Sequence, residues 1–285
     1  MGEKIIGIDL GATNIRGANV YENDLSDIIT QRIHSKGTEE EVLNDVFTVT
    51  DALINNAVAA IGIGVPSVVD VEEGIVYDVQ YIPSWKEVHL KKYMEARYGI
   101  PVFVNNDANC FALGEYYFGK GKGYHSMIGL TVGTGVGAGV IVNKRLYPGR
   151  NCGAGEFGSV DYLDKIYEYY CSGSFFENVH GLNGEFVYEK AKQEDAQALK
   201  LYDEFGEHLG NCIKMIMYTY DPELIIIGGS VRHAYNYFEE AMWRRIKTCI
   251  FSKSAERLFV EISSLHNSGI LGAAALYYDF QRKVG

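Results

Sequence analysis

Two carboxylates stand where chemistry is easiest to imagine. The first, Asp9, sits near the end of the apolar run Ile5-Ile6-Gly7-Ile8-Asp9-Leu10 and just before Gly11-Ala12-Thr13-Asn14. Such a run reads as a buried strand, and Ile15 to Val20 as the strand that leaves the turn. A glycine turn offers backbone N–H groups with no side chain in the way, so it can hold phosphate oxygens. Thr13 and Asn14 add a hydroxyl and an amide as donors. A carboxylate beside a phosphate would repel it, so Asp9 makes sense with a divalent cation between the two.

The pattern returns at Ile128-Gly129-Leu130-Thr131-Val132-Gly133-Thr134-Gly135. Gly129 matches Gly7, Gly133 matches Gly11, and Thr131 stands where the first copy has Asp9. Either copy alone is a short glycine motif of the kind that recurs by chance. The pair in matched register implies two similar domains that face each other, with a phosphate chain between the turns.

The second carboxylate is Asp107, in Asn105-Asn106-Asp107-Ala108-Asn109, between the strand Val102 to Val104 and a helix that begins near Cys110. An N-cap role would contribute about 1 kcal/mol to that helix. Four polar residues at one strand end exceed what a cap requires. Glu156 lies in Gly155-Glu156-Phe157-Gly158 and Glu168 among Tyr167, Tyr169 and Tyr170. Either could be a surface charge, but the glycines around Glu156 allow close backbone approach. The strand Leu224 to Ile227 ends in Gly228-Gly229-Ser230, a strand-to-loop site suited to a flat nucleotide.

These residues need a scaffold, and the chain is long enough for one. It has 285 residues, 47% hydrophobic and 22% charged, which fits about two α/β domains. The predicted domains are 1–118 with 270–285, and 119–269, the break falling in a flexible segment at 119–123. Helices are expected over 39–58, Leu90 to Tyr98, 166–177, 194–218, Tyr237 to Lys247 and Ile270 to Tyr278, with strands at Ile28 to His34, Ala60 to Val65, Val136 to Val142 and Val260 to Ile262. The net charge of −11, without a basic run, argues against nucleic acid or an anionic membrane as partner. No signal peptide or membrane-spanning stretch is read. Five scattered cysteines and seven histidines show no metal-ligand spacing, so reduced thiols and a cytoplasmic location are expected.

Six motifs in order give the chain a family resemblance. They are Asp9-Leu10-Gly11-Ala12-Thr13-Asn14, Gly62-Ile63-Gly64-Val65-Pro66, Asn106-Asp107-Ala108-Asn109, Gly133-Thr134-Gly135, Gly155-Glu156-Phe157-Gly158 and Ile227-Gly228-Gly229. Over roughly Lys4 to Tyr278 the sequence resembles the ROK family of repressors and sugar kinases. The resemblance implies an actin-like, ribonuclease-H-like pair of α/β domains with ATP and a hexose in a cleft. It makes Asp107 the general base that takes the proton of the attacking sugar hydroxyl, and Asp9 the holder of Mg2+, through water. Gly11, Ala12, Thr13, Asn14, Thr131, Gly133, Thr134 and Gly135 would surround the phosphates, and Gly228 and Gly229 would face the adenosine. Asn106, Asp107, Glu156, Glu168, Ser159 and Ser67 would bind the sugar, with glucose, mannose or fructose the leading substrates. A homodimer is expected by the same analogy.

The departures from the pattern concern the sugar. The family's histidine after Gly-Glu-x-Gly is Ser159 here, its Pro-Gly is Pro66-Ser67, and an asparagine near the pocket is Tyr81. The cysteine-rich zinc loop is missing, and Cys171 alone cannot supply four ligands, so no zinc site is expected. The family's repressors carry a DNA-binding segment before the first hairpin, where only Met1 to Glu3 stand here, so by the resemblance a kinase is expected. The alternatives are a non-catalytic sugar or nucleotide sensor and an actin-like assembly protein.

Overall fold

The computed structural model describes residues 2–284 of the chain. Positions 1 and 285, which end the expected domains, lie outside the described residues. The chain packs as two compact units, Met1–Gly123 with Gly139–Ala154 and Ser264–Gly285, and Tyr124–Ala138 with Gly155–Ser263.

The first unit carries strands β1 (Lys4–Leu10), β2 (Asn14–Tyr21), β3 (Asp24–Leu25) and β4 (Ile29–Arg32), helix α1 (Glu39–Leu53), and strand β5 (Val58–Val65). A small sheet follows, of β6 (Val68–Asp70), β7 (Ile75–Tyr77) and β8 (Glu87–Val88), then α2 (Leu90–Tyr98), β9 (Val102–Asn106) and α3 (Asp107–Tyr117). The main sheet runs β3-β2-β1-β5-β9, with β4 also on β2. β1 is antiparallel to β2 and parallel to β5, and β5 is parallel to β9. Both faces of this sheet are covered, which is why β1 and β5 are apolar almost throughout. On one face Val42, Val46, Val49 and Leu53 of α1 pack with Ile6, Ile8, Ile61 and Ile63. On the other, Ile270, Leu271, Ala274 and Tyr277 of the last helix, Ser268–Val284, pack with Ile5, Ala18, Val20 and Ala60. Each fully buried Ile or Val contributes roughly 1.5–3 kcal/mol. The last helix lies unusually close: a Cβ on Gly62 would stand 1.8 Å from the Ala273 carbonyl oxygen.

The second hairpin and the second unit add β10 (Met127–Val132), β11 (Val136–Val142), β12 (Arg145–Leu146), β13 (Asp161–Tyr162), β14 (Lys165–Ile166), α4 (Tyr167–Cys171), α5 (Phe175–His180), α6 (Gly184–Ala191) and α7 (Ala196–Tyr220). They end with β15 (Leu224–Gly228), α8 (Tyr235–Ile246), α9 (Ser252–Arg257) and β16 (Phe259–Ile262). The last helix of the chain, already described, is α10. The sheet order is β12-β11-β10-β15-β16, with β10, β15 and β16 parallel. The stretch β2-β1-β5-β9 of the first sheet thus has its counterpart in β11-β10-β15-β16. The repeat holds to the residue, since Asp9 pairs with Gly64 and Thr131, its match in the second copy, pairs with Gly228.

Several element boundaries differ from expectation. The helix expected over 39–58 stops at Leu53, and Ala57 lies beyond it, its N–H bonded to Asn55 Oδ1 at 3.1 Å. An asparagine that bonds its own backbone two residues on sets a turn instead of another helical residue. The expected strand from Ile28 to His34 is only Ile29–Arg32. The segment 119–123 is tied down, not loose: the N–H groups of Gly119 and Gly121 donate to the Glu115 carbonyl at 3.0 and 2.9 Å, and Lys120 N–H donates to Glu115 Oε2 at 3.3 Å. α6 and α9 had no counterpart in the sequence reading.

Candidate active site

In the first unit, strand register brings the two singled-out carboxylates to one sheet edge. Asp9 of β1 pairs with Gly64 of β5, and Gly64 pairs with Asn105 of β9. Three parallel strands therefore end at one level, with Asp9 and Asn105 roughly 10 Å apart across two strand spacings. Gly64 puts no side chain between them. Ligands of open α/β sheets gather at such carboxyl ends.

The Asn105–Asp107 corner is held from behind. Asn105 Oδ1 accepts from Asn106 N–H at 2.8 Å, Asn109 Nδ2 at 2.9 Å and Cys152 Sγ at 3.2 Å. Asn105 and Asn109 are buried, and Asp107 is exposed. The helix cap is Asn106, not Asp107: Asn106 Oδ1 accepts from Ala108 N–H at 2.9 Å. Asp107 occupies the first turn, where one carboxylate oxygen also accepts from Ala108 N–H, at 2.8 Å. A carboxylate is favoured there by the helix dipole. Asn106 Nδ2 donates to the Ser67 carbonyl at 3.2 Å, and Ser67 Oγ donates to the Tyr77 carbonyl. Ser67 thus joins the Asp107 corner, whereas Tyr81 is exposed.

Burial pushes the Asp9 carboxyl up, opposed by the Arg16 guanidinium. Arg16 faces Asp9 across the hairpin and donates through Nη2 to Asn267 Oδ1 at 2.5 Å. The first turn of α10 crowds the carboxylate, since a Cβ on Gly269 would come within 2.8 Å of Asp9 Cγ. The Cys110 thiol is pushed well up by burial and then by the negative charge of Asp107 and of Asp9. A single buried thiol therefore feels both carboxylates. The glycine turn that follows β1 closes through Gly11 N–H to the Asn14 carbonyl at 3.0 Å, with Thr13 and Asn14 exposed. Among the described residues, no group of three or more His, Cys, Asp or Glu is placed to hold a metal ion. A cation at Asp9 would have one carboxylate from this chain and would take its remaining oxygens from phosphate and water, the usual manner for Mg2+.

In the second unit the matching turn is fastened to the segment that follows α4. Gly173 N–H donates to the Gly133 carbonyl at 2.6 Å, and Ser174 Oγ to the Thr134 carbonyl at 2.9 Å. In a trans peptide the C=O and the next N–H point in opposite directions. Holding those two carbonyls therefore aims the N–H groups of Thr134 and Gly135 the other way, as anion donors require. Thr131 does not reproduce the free carboxylate of the first copy, because its Oγ1 donates to the Gly137 carbonyl at 3.1 Å.

The turn borders a cavity of about 520 Å³, within the range for small-molecule sites. Phe176, Tyr188 and Tyr202 supply aromatic walls, and Glu177, Glu185, Ser230 and His233 polar ones. Gly228 ends β15 and Gly229 follows it, just before Ser230 of the lining. Gly229 has φ +79°, and a Cβ there would meet the Val132 carbonyl oxygen at 2.2 Å, so only glycine lets the two strand ends converge. Tyr188, Tyr202, Glu177 and Glu185 escaped the sequence reading. They lie on three successive helices and belong to no local motif.

Glu156 and Ser159 meet in a 3-10 turn, with Ser159 Oγ 3.4 Å from Glu156 Oε2. Glu168 is held differently, accepting Val136 N–H at 2.9 Å through Oε2. β13 and β14 form a tight hairpin through Leu163 at φ +55°. Tyr162 there stacks on Tyr167 with centroids 4.2 Å apart, and its hydroxyl meets His208 Nδ1 at 3.1 Å and Asn211 Nδ2 at 2.8 Å.

Comparison with known proteins decides the family. The sequence model of the ROK family matches residues 5–279. The chain belongs to the ROK family. It is 28% identical to a glucokinase from Thermotoga maritima over 306 aligned positions, covering 96% of each protein. It is also 26% identical to the xylose repressor of Bacillus subtilis, over 96% of this chain and 77% of the repressor. Among solved structures, the ROK family glucokinase from Streptomyces griseus in complex with glucose and AMPPNP superposes with a TM-score of 0.78 at 27% identity, over 96% of this chain and 98% of the other. The mixed α/β fold of ROK sugar kinases is therefore the fold of this chain. Among the described residues, no helix is long and apolar enough to cross a membrane.

Proposed function

We propose that this ROK protein phosphorylates a hexose at a primary hydroxyl, using ATP, with Asp107 as general base. The observation that carries the reading is the level shared by Asp9, Gly64 and Asn105, which brings the half-buried Asp9 carboxylate and the strand end that leads into the exposed Asp107 of the first helical turn to the same end of the sheet, with a glycine between. Phosphoryl transfer asks little covalent chemistry of a protein: positioning, charge neutralisation and one proton acceptor. Asp107, exposed and held by the Asn105–Asn109–Cys152 network, suits the acceptor. Asp9, half-buried beside a glycine turn, suits a hard cation better than a sugar hydroxyl. Mg2+ held there through water would neutralise phosphate charge.

The glycine turns 11–14 and 133–135 serve phosphate oxygens in this reading. The aromatic cavity bordered by Gly133 and Thr134 takes the nucleoside, with Gly228 and Gly229 supporting its floor. Asn106, Asp107, Ser67, Glu156, Ser159 and Glu168 bind sugar hydroxyls, for which carboxylates and amides offer several acceptor and donor sites. Glucose, mannose and fructose lead the substrate list, by likeness to glucokinases. The reading extends to an actin-like two-lobed arrangement, a cytoplasmic location and a homodimer, by likeness to the family and, for the location, from five free, buried thiols.

The likeness to a xylose repressor keeps one rival reading, a sugar sensor without catalysis. A coupled assay of ADP release on a hexose panel separates the two. Sugar-dependent ADP formation supports the kinase, whereas hexose binding without ADP formation supports the sensor.

A further inference from the structure

Glu168 lies between the groups assigned to sugar and those assigned to phosphate. Its Oε2 accepts Val136 N–H at 2.9 Å, the first amide after the Gly133–Gly135 turn. Gly135 makes that approach feasible, since a Cβ there would fall 2.6 Å from the same oxygen. The other side of Glu168 carries the Glu156 segment: a Cβ on Gly158 would meet the Val136 carbonyl oxygen at 2.8 Å and Glu168 Cβ at 3.4 Å. Five residues further on, Gly173 and Ser174 hold the turn's carbonyls.

We infer that Glu168 is a positioning residue that couples sugar occupancy to the phosphate turn, one carboxylate oxygen bonding the turn and the other a sugar hydroxyl. This rests on the kinase reading above. A carboxylate is rigid and planar, so a hydroxyl that fixes one oxygen fixes the direction of the other. Sugar binding then orders the Val136 amide and the turn ahead of it. Nucleotide arriving second meets a turn already in place, and by linkage the effect is reciprocal.

The test uses the intact chain, AMPPNP as nucleotide and whichever hexose the wild type phosphorylates. Calorimetry gives the ratio of AMPPNP dissociation constants without and with saturating hexose. The wild type should show a ratio of about five or more. Glu168→Gln, which keeps shape but loses one acceptor oxygen, should lower that ratio at least about threefold. Ser174→Ala loosens the turn without touching sugar and should weaken AMPPNP equally in both conditions. Glu156→Gln should weaken hexose and leave the ratio at the wild-type value. A wild-type ratio in Glu168→Gln overturns the inference. Should that variant not fold, amide exchange on the wild type decides: hexose alone should slow exchange in the peptide spanning Gly133 to Val136, and unchanged exchange overturns the inference. If no hexose binds the wild type at all, the kinase reading falls first and this inference with it.

Discussion

Asp9 is the register partner of Gly64 in the parallel pairing of β1 with β5, just as Thr131 is the partner of Gly228 in the second sheet. The two hairpins are therefore duplicated in pairing and not only in glycine pattern, yet they differ at one chemically decisive position. The first keeps a half-buried carboxylate there. The second has a hydroxyl committed to the Gly137 carbonyl. Charge is placed in one copy alone, as expected if a single cation serves the phosphates.

Asp9 should therefore govern metal dependence. Asp9→Asn is expected to raise the Mg2+ concentration needed for half-maximal turnover by about tenfold or more, with hexose affinity little changed. Mg2+ titration of the coupled assay, beside hexose calorimetry, checks both halves.

Asn105 fixes the corner on which Asp107 stands. Asn105→Ala removes the acceptor of two N–H groups and one thiol in a buried setting. A loss of about 1–3 kcal/mol of stability is expected, together with a fall in kcat. Urea unfolding and steady-state kinetics on the same preparation test this.

Gly62 lets α10 lie against β5. Gly62→Ala would drive a methyl into the Ala273 carbonyl, 1.8 Å away, and should cost about 1–3 kcal/mol or more. Gly99, left-handed at φ +67° at the end of α2 with open space around its Cβ, gives the contrast. Gly99→Ala should cost about 1 kcal/mol through its backbone conformation alone. Thermal melts of the two variants should rank them in that order.

His208 predicts a pH dependence. Burial lowers its pKa below the ordinary 6.5, against the opposing charge of Glu204 and Glu207. The folded chain then binds fewer protons than the unfolded chain between the depressed value and 6.5, so stability falls as pH falls through that window. Melting temperatures from about pH 8 to pH 5 should decline, and His208→Gln should flatten the decline.

Much of this arrangement was legible because it is local or periodic. The stripe Val42, Val46, Val49 and Leu53 gave α1, and Gly99 followed by Pro101 gave the end of α2 at Tyr98. The Asn105–Asn109 cluster between strand and helix pointed to the Asp107 corner. Which of Asn106 and Asp107 caps the helix depends on where the backbone leaves the extended conformation, here after Asn106 at ψ 147°, which spacing does not encode. The capping box of Thr38 and Glu41, visible as Thr-x-x-Glu, was a missed signal for the start of α1. The Asp9–Gly64–Asn105 level is set by pairing between residues 55 and 41 positions apart in the chain. The aromatic cavity draws its walls from α5, α6 and α7, and no short window of sequence holds them together.

The account turns on Asp107 as the base. The direct measurement is hexose-dependent ADP release by Asp107→Asn, with hexose binding followed calorimetrically on the same sample. Turnover should fall by about a thousandfold while hexose still binds within a few-fold of wild type. Turnover retained near the wild-type rate would contradict the assignment.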